Sequence, residues 1–344
     1  MIPQKEQMIW GGQMDKYQGL SVSARCAESI GQRGVSKDCV LIRQTATCQI
    51  LTISTGEDGK QYFRSHIGAC FAAEAALESM DVFASSVSKE MLFTDKGSES
   101  RLLRQLAGSI ITGWRDRVKK DIEACPFRPE EISSVENIKY KENYKKGIDQ
   151  EYAYRANVAG AVVARDYCLI IRNGDSECTV VETAFGTSDK LTEPVPWNKR
   201  CREYYSTSLC DMTAIREFRY CCLDVVPAAV FLVSGSLRRC FNRTEVYHIY
   251  LEQMALLLLE NGTTGKKYLK KNLLELSQRG THEDVCLVCA WSANALGNCL
   301  KPRQRQACGT DQQPSRRAVY FLAGTCILLL SIMISFMVCV FFGR

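Results

Sequence analysis

The run Ile50-Leu51-Thr52-Ile53-Ser54-Thr55-Gly56-Glu57-Asp58-Gly59-Lys60 constrains this chain more than any other stretch. Ile50, Leu51 and Ile53 are the branched apolar residues of a strand. The strand stops at an acidic turn bracketed by Gly56 and Gly59. From Tyr62 onward, Phe63, Ile67 and Phe71 recur at the four-residue spacing of a helix face. Any fold must therefore hold a strand, a sharp turn and a helix in immediate succession. The glycines let the backbone bend, and Glu57 and Asp58 offer hard oxygen ligands, so the turn is a candidate cation site. The same residues also make an ordinary strand-turn-helix junction, and local sequence alone favours that plainer reading.

The flanking chain supplies the partners. Cys39–Ile42 and Cys48–Ser54 read as the two strands of a hairpin, and the helix from Tyr62 runs to about Met80, with Ala69, Ala72, Ala73, Ala75 and Ala76 allowing close packing. A second long helix is expected over Ser98–Ala124, capped by Ser98 or Ser100. Its apolar stripe is Leu102, Leu106, Ile110, Trp114, Val118 and Ile122, and Pro126 and Pro129 close it. Residues 130–152 are charged and tyrosine-rich and read as a loop. Beyond Asn157 the pattern turns to strands, Val158–Ala164, Tyr167–Arg172 and Glu177–Glu182, with the hairpin-type dipeptide Asn173-Gly174 between the last two. Pro227–Gly235 reads as a buried strand ending in a turn, Glu245–Glu260 and Lys266–Ser277 as helices, and Asp284–Trp291 as the last strand. Residues 1–20 are an N-terminal extension with no assigned element, the domain spans 21–292, and 293–317 lacks apolar periodicity and reads as a linker.

Ala318–Phe342 is almost uniformly apolar and uncharged, long enough for a bilayer span of about 20 residues. Arg316 and Arg317 flank it on the domain side, which places the domain in the cytoplasm under the positive-inside bias. The expectation is a single-pass, C-terminally anchored membrane protein with the lipid bilayer as one partner. The 18 cysteines, Cys286 and Cys289 among them, fall largely in apolar runs and read as reduced thiols. Three histidines make a histidine-based metal site a poor expectation. A net charge of +6 with no polybasic run gives no ground for a nucleic-acid partner, and Lys145-Lys146 and Lys270-Lys271 read as solvated faces.

Four pieces, in order and spacing over roughly residues 20–291, resemble the metal-dependent protein phosphatase family (PPM, or protein phosphatase type 2C) in its bacterial branch. They are Gly59–Ala69, Asn173-Gly174-Asp175-Ser176, Ala228–Ser236, and Gly280-Thr281-His282-Glu283-Asp284-Val285-Cys286-Leu287. The resemblance implies an α+β fold, a four-layer α-β-β-α sandwich of two mainly antiparallel sheets flanked by helices, to which the C-terminal transmembrane helix is added. It also implies a site between the sheets where two Mn²⁺ or Mg²⁺ ions on aspartates activate a water against a phosphoserine or phosphothreonine.

Set in the family's register, this chain departs from the pattern at the metal ligands. The bridging aspartate falls on Thr55, followed by Gly56, and Gly235 stands where a second ligand is expected. A neutral hydroxyl does not replace a bridging carboxylate. Asp284 is kept with Glu283 beside it, Asp38 matches an early acidic position, and Gly174-Asp175 match a structural turn. Asp58 is the alternative ligand if a bulge or shifted register carries it beside Asp284, although three strand residues span about 10 Å. Arg64 is a candidate phosphate fork, weighed against a solvated surface arginine. His66, Cys210-Asp211 and Glu217 read as surface or structural residues. The implied function is a membrane-tethered cytosolic serine/threonine phosphatase domain, catalytically degenerate, that binds a phosphoprotein or a kinase and needs no cofactor. The alternative is an active phosphatase with a rearranged Mn²⁺ or Mg²⁺ site.

Overall fold

Strands buried on both faces make the centre of the molecule. The computed structural model describes residues 17–24, 36–183, 191–195 and 207–300. In its first half lie β1 (Gln18–Ala24), β2 (Asp38–Gln44), β3 (Gln49–Thr55), α1 (Ser65–Ser86), α2 (Lys89–Phe93), α3 (Lys96–Ala124), α4 (Pro129–Ser133) and α5 (Ile138–Lys145). Then come β4 (Val158–Val163), β5 (Cys168–Asn173), β6 (Glu177–Val181), β7 (Leu191–Thr192), α6 (Ala214–Glu217) and β8 (Arg219–Leu223). The last elements are β9 (Ala229–Val233), α7 (Gly235–Arg239), α8 (Thr244–Asn261), α9 (Lys266–Arg279), β10 (Val285–Trp291) and α10 (Ala293–Leu300).

Two five-stranded sheets result, ordered β1-β10-β9-β6-β7 and β2-β3-β4-β5-β8, with all neighbours antiparallel. The expected α+β architecture of two antiparallel sheets with flanking helices is observed. Leu51, Ile53, Ala161 and Ile170 of one sheet pack with Val180, Leu232 and Val288 of the other. The alternate residues Ile50, Val162, Leu169 and Ile171 pack instead with Ala72, Ile110 and Trp114 of α1 and α3. On the far side, α7 and α9 lie against β10. Such strands are apolar along their whole length, which is why a two-residue alternation is not visible in the sequence.

The hairpin of β2 and β3 is as expected, in register from Asp38 opposite Thr55 to Gln44 opposite Gln49. Helix α1 is drawn close to its neighbours by small residues. A side chain at Gly68 would stand 1.8 Å from the carbonyl oxygen of Tyr154. The Gly68 carbonyl also accepts the indole N–H of the buried Trp114 at 3.1 Å.

Several expectations are corrected. Helix α3 starts earlier than its serines suggested: Asp95 is the cap, its carboxylate accepting the Ser98 N–H at 2.8 Å. The segment 130–152 is not a loop but holds α4, α5 and the start of a 3-10 turn over Gln150–Tyr154. Its buried face is made of Tyr144 and Tyr154, packed edge-on or stacked against Phe127, so an aliphatic period never appears. Asn173-Gly174 does not close a hairpin. It carries the chain from β5 in one sheet to β6 in the other, with Gly174 at φ +108° against Asn157. The dipeptide reports a local backbone angle and not which strands pair. Part of the region left without an element is β1, an edge strand whose Leu20, Val22 and Ala24 are buried. Helix α10 occupies the first residues of the segment read as a linker.

The chain divides into the units Met1–Cys299 and Leu300–Arg344, and both sheets lie in the first. The apolar run 318–342 lies outside the described residues. Among the described residues no helix is long and apolar enough to cross a membrane. All described cysteines are free thiols.

Candidate functional site

The start of β2, the end of β3, the turn after β5, the end of β9 and the turn before β10 gather at one end of the two sheets. Asp38 is half-buried among the acids collected there, with its Oδ2 shielded from solvent. Burial pushes its carboxyl up to about 7, and Asp284 and Asp175 push the same way, while the neighbouring Cys286 and Thr55 side chains pull it down. Asp38 Oδ2 and Thr55 Oγ1 are buried side by side, yet neither completes a hydrogen bond of good geometry among the described residues. Thr55 lies directly across the hairpin from Asp38.

The acidic turn is neutralised by protein cations. Gly56 donates its N–H to the Lys37 carbonyl at 2.9 Å, and a side chain at position 56 would stand 2.5 Å from the Ser65 carbonyl oxygen at the start of α1. Glu57 pairs with Arg155 at 3.0 Å, and Arg155 also holds Asp211 at 2.5 Å. Asp58 is exposed and ion-paired to the Lys37 ammonium. No bulge shifts it inward, since β3 stays in register to Thr55. The expectation that Asp58 moves beside Asp284 is thus corrected: Lys37 takes that place. Burial lowers the Lys37 pKa, while Asp284, Glu283 and Asp38 raise it.

At the end of β9, Ser234 caps α7 through the Leu237 N–H and accepts the Cys286 N–H at 3.1 Å. Ser236 donates to the Asp284 carbonyl at 2.6 Å and so ties α7 to the turn before β10. A Cβ built on Gly235 would stand 2.0 Å from Asp175 Oδ2. The Asp175 carboxylate therefore fills the space that a ligand side chain at 235 would need. It is held there by Asn157 Nδ2 at 2.9 Å and by Arg239 at 2.7 Å. The second nitrogen of the same guanidinium reaches Glu283 at 2.6 Å. Asp175, read from the sequence as structural, is both a turn residue and a member of the acid cluster.

Arg64 is not available to a phosphate. It is 5% exposed. Its guanidinium donates to the Tyr154 hydroxyl at 2.6 Å, the Cys125 carbonyl at 2.7 Å, and the carboxylates of Asp121 at 3.2 Å and Glu131 at 3.1 Å, and it lies over the Phe127 ring. Helix α3 ends opposite it, and Arg64 takes up the carbonyls freed there. Its role is to fasten the start of α1 to α3 and α4.

Structure therefore brings together Asp38, Asp175, Asp284 and Glu283, and leaves out Asp58 and Arg64. The site residues not singled out in the sequence are Lys37, Asn157 and Arg239. A usable signal was present for two of them: Lys37 directly precedes Asp38, and Arg239 follows Gly235 by one helical turn.

A two-metal centre requires a carboxylate between the ions. Position 55 offers a buried hydroxyl, position 235 has no side chain, and two protein cations already lie among the remaining acids. Among the described residues no group of three or more His, Cys, Asp or Glu is arranged to hold a metal ion. The residues present do not fit a two-metal centre.

A family profile described as protein phosphatase 2C matches residues 28–274, more than half of the chain. The chain belongs to this family of metal-dependent protein phosphatases. Among solved structures it is similar to a C. elegans sex determining protein, at 12% identity and a TM-score of 0.51, over 84% of this chain and 68% of that one. It is also similar to a serine/threonine phosphatase from Staphylococcus aureus, at 10% identity and a TM-score of 0.48, over 84% and 99% of the two chains. A third is the catalytic domain of the serine/threonine phosphatase PstP in complex with two manganese ions, at 13% identity and a TM-score of 0.43, over 80% and 97%. At these identities the likeness is one of fold. No match is found among curated protein sequences.

The raised Asp38 pKa fixes a pH dependence. In the unfolded chain this carboxyl ionises near 4 and in the folded one near 7, so between those values the folded state holds more protons and stability falls as pH rises. In EDTA, Asp38→Asn is expected to remove a loss on the order of 4 kcal/mol between pH 4 and 7, seen as a flatter profile of urea midpoint against pH. Identical profiles for the two proteins would contradict the burial described.

Proposed function

We propose that this chain is a protein phosphatase 2C-type serine/threonine phosphatase domain that has lost its catalytic metal centre. It acts as a pseudophosphatase that binds a phosphoprotein or a protein kinase. The observation that carries this is the Arg239 guanidinium spanning Asp175 and Glu283, with Asp175 seated in the space of the missing side chain at 235. A guanidinium fixed by two carboxylates offsets part of the charge that a divalent ion would neutralise, without an exchangeable water to activate. Lys37, paired with the exposed Asp58, also lies near Asp38, Glu283 and Asp284. The fold is kept because its layers are held by apolar packing and not by the ions.

A second reading is favoured by one atom. Among the described residues Asp38 Oδ2 is buried without a hydrogen-bond partner of good geometry, with Asp284 and Asp175 near it. That supports an active phosphatase in which Asp38, Asp175 and Asp284 hold a rearranged Mn²⁺ or Mg²⁺. The first reading is preferred because it accounts for Arg239, Thr55 and Gly235 together.

The full chain, purified in detergent, is expected to release no p-nitrophenol from p-nitrophenyl phosphate above the protein-free rate, in manganese, magnesium or EDTA. Robust manganese-dependent turnover that disappears in Asp284→Ala would establish the second reading instead. We further propose that residues 318–342 tether the domain to a membrane from its cytoplasmic side, on the strength of their uncharged apolar length. The chain should stay with membranes through alkaline extraction, and removal of 318–342 should release it. Release of the intact chain would end the tethering proposal.

A further inference from the structure

A cavity of about 540 Å³ lies between α3, α6 and β8, and three arginines, Arg104, Arg216 and Arg219, line it. Each comes from a different element. Helix α3 presents Ser100, Leu103, Arg104 and Ala107, which share one helical face. Arg216 lies on α6, whose start is pinned by the Asn173 side chain donating to the Ala214 carbonyl at 3.1 Å. Arg219 opens β8, paired in register with Arg172 of β5. The three guanidiniums are thus set around the cavity by a helix, a pinned turn and a sheet edge.

Their charge is not neutralised. Arg64, Arg155, Arg238 and Arg239 all have carboxylate partners. Arg104, Arg216 and Arg219 have none within ion-pair distance among the described residues, and Arg219 donates only to the Arg216 carbonyl, at 3.2 Å. Glu99, a near acid on α3, is turned to the Cys222 thiol. Three like charges around one cavity repel each other, and an anion among them relieves that repulsion.

The cavity also states the kind of anion. A single phosphate dianion balances two guanidiniums, whereas two or more phosphates balance three. Arginine forks suit phosphate oxygens in pairs. The volume lies within the range of small-molecule sites and far exceeds one phosphate. The buried Leu103, Ala107 and Phe218 give it an apolar floor, and the partly exposed Tyr220 ring offers a flat face at its side.

We propose that this cavity binds an organic di- or polyphosphate, its phosphates on Arg104, Arg216 and Arg219 and its organic part over the apolar floor. The proposal goes beyond the pseudophosphatase reading and does not depend on it, because the cavity is positively charged and the family site is acidic.

Calorimetric titration of the full chain with ADP, inositol hexakisphosphate, pyrophosphate and inorganic phosphate tests it. ADP or inositol hexakisphosphate is expected to bind at least tenfold more tightly than pyrophosphate, and which of them binds identifies a nucleotide or a polyol source. The double variant Arg216→Gln/Arg219→Gln, and Arg104→Gln alone as an independent variant on another element, should each weaken that binding at least tenfold with an unchanged unfolding midpoint. Lys270→Gln/Lys271→Gln, which removes the same charge elsewhere, should leave it unchanged. The proposal is overturned if neither organic phosphate binds, if neither exceeds pyrophosphate, if the arginine variants bind as well as the wild type, or if the lysine variant loses as much as they do.

Discussion

Carboxylates forced together by a fold must be neutralised, and the acidic end of this domain is shaped by that requirement. Asp38 begins β2, Asp284 and Glu283 precede β10, and Asp175 lies in the turn that crosses from one sheet to the other. Glu283 is partly open to solvent, while the Asp175 side chain is largely covered. Asp38 meets the requirement by holding its proton to about pH 7. Asp175 and Glu283 meet it through Arg239, at 2.7 and 2.6 Å. In a related domain with its metals, divalent ions would supply this charge. Here a side chain on α7 supplies it.

Steric exclusion closes position 235 to a larger residue. Gly235 leaves a space, and the Asp175 carboxylate has entered it. Returning an aspartate to 235 would set two carboxylates on one spot, with Arg239 already bound to the first. Gly56 is different. It is fixed by the approach of Ser65 at the start of α1, so it is kept for packing whatever becomes of the metal site. Backbone packing alone thus accounts for the glycine at 56.

Much of the fold was legible in the sequence because long apolar runs and helical spacings report it directly, as in β3, α1, α3, β9 and β10. The elements that escaped have physical reasons. The edge strands β1 and β8 are partly polar, and α4 and α5 bury Glu131 and Tyr144 instead of aliphatic residues. The β5–β6 crossover uses a dipeptide that equally suits a hairpin. At the site, Thr55 and Gly235 were legible as departures because they sit in fixed register with recognisable flanks. Lys37 and Arg239 stand close to those positions in the sequence, but which carboxylates they meet was not legible, because pairing across distant segments is set by tertiary structure: Arg239 meets Asp175 across 64 positions. Arg64 misled for the opposite reason, since a charged residue at a helix start gives no sign that an aromatic and carboxylate nest is built around it.

The account turns on protein cations standing in for metal ions. The most direct measurement is the unfolding midpoint of the intact chain in excess manganese and in EDTA. A native site whose Kd lies a hundredfold below the manganese concentration would add about 2.7 kcal/mol. With Lys37 and Arg239 already seated among the acids, the two midpoints are predicted to coincide. A midpoint that rises in manganese, and whose rise is lost in Asp284→Ala, would contradict the account.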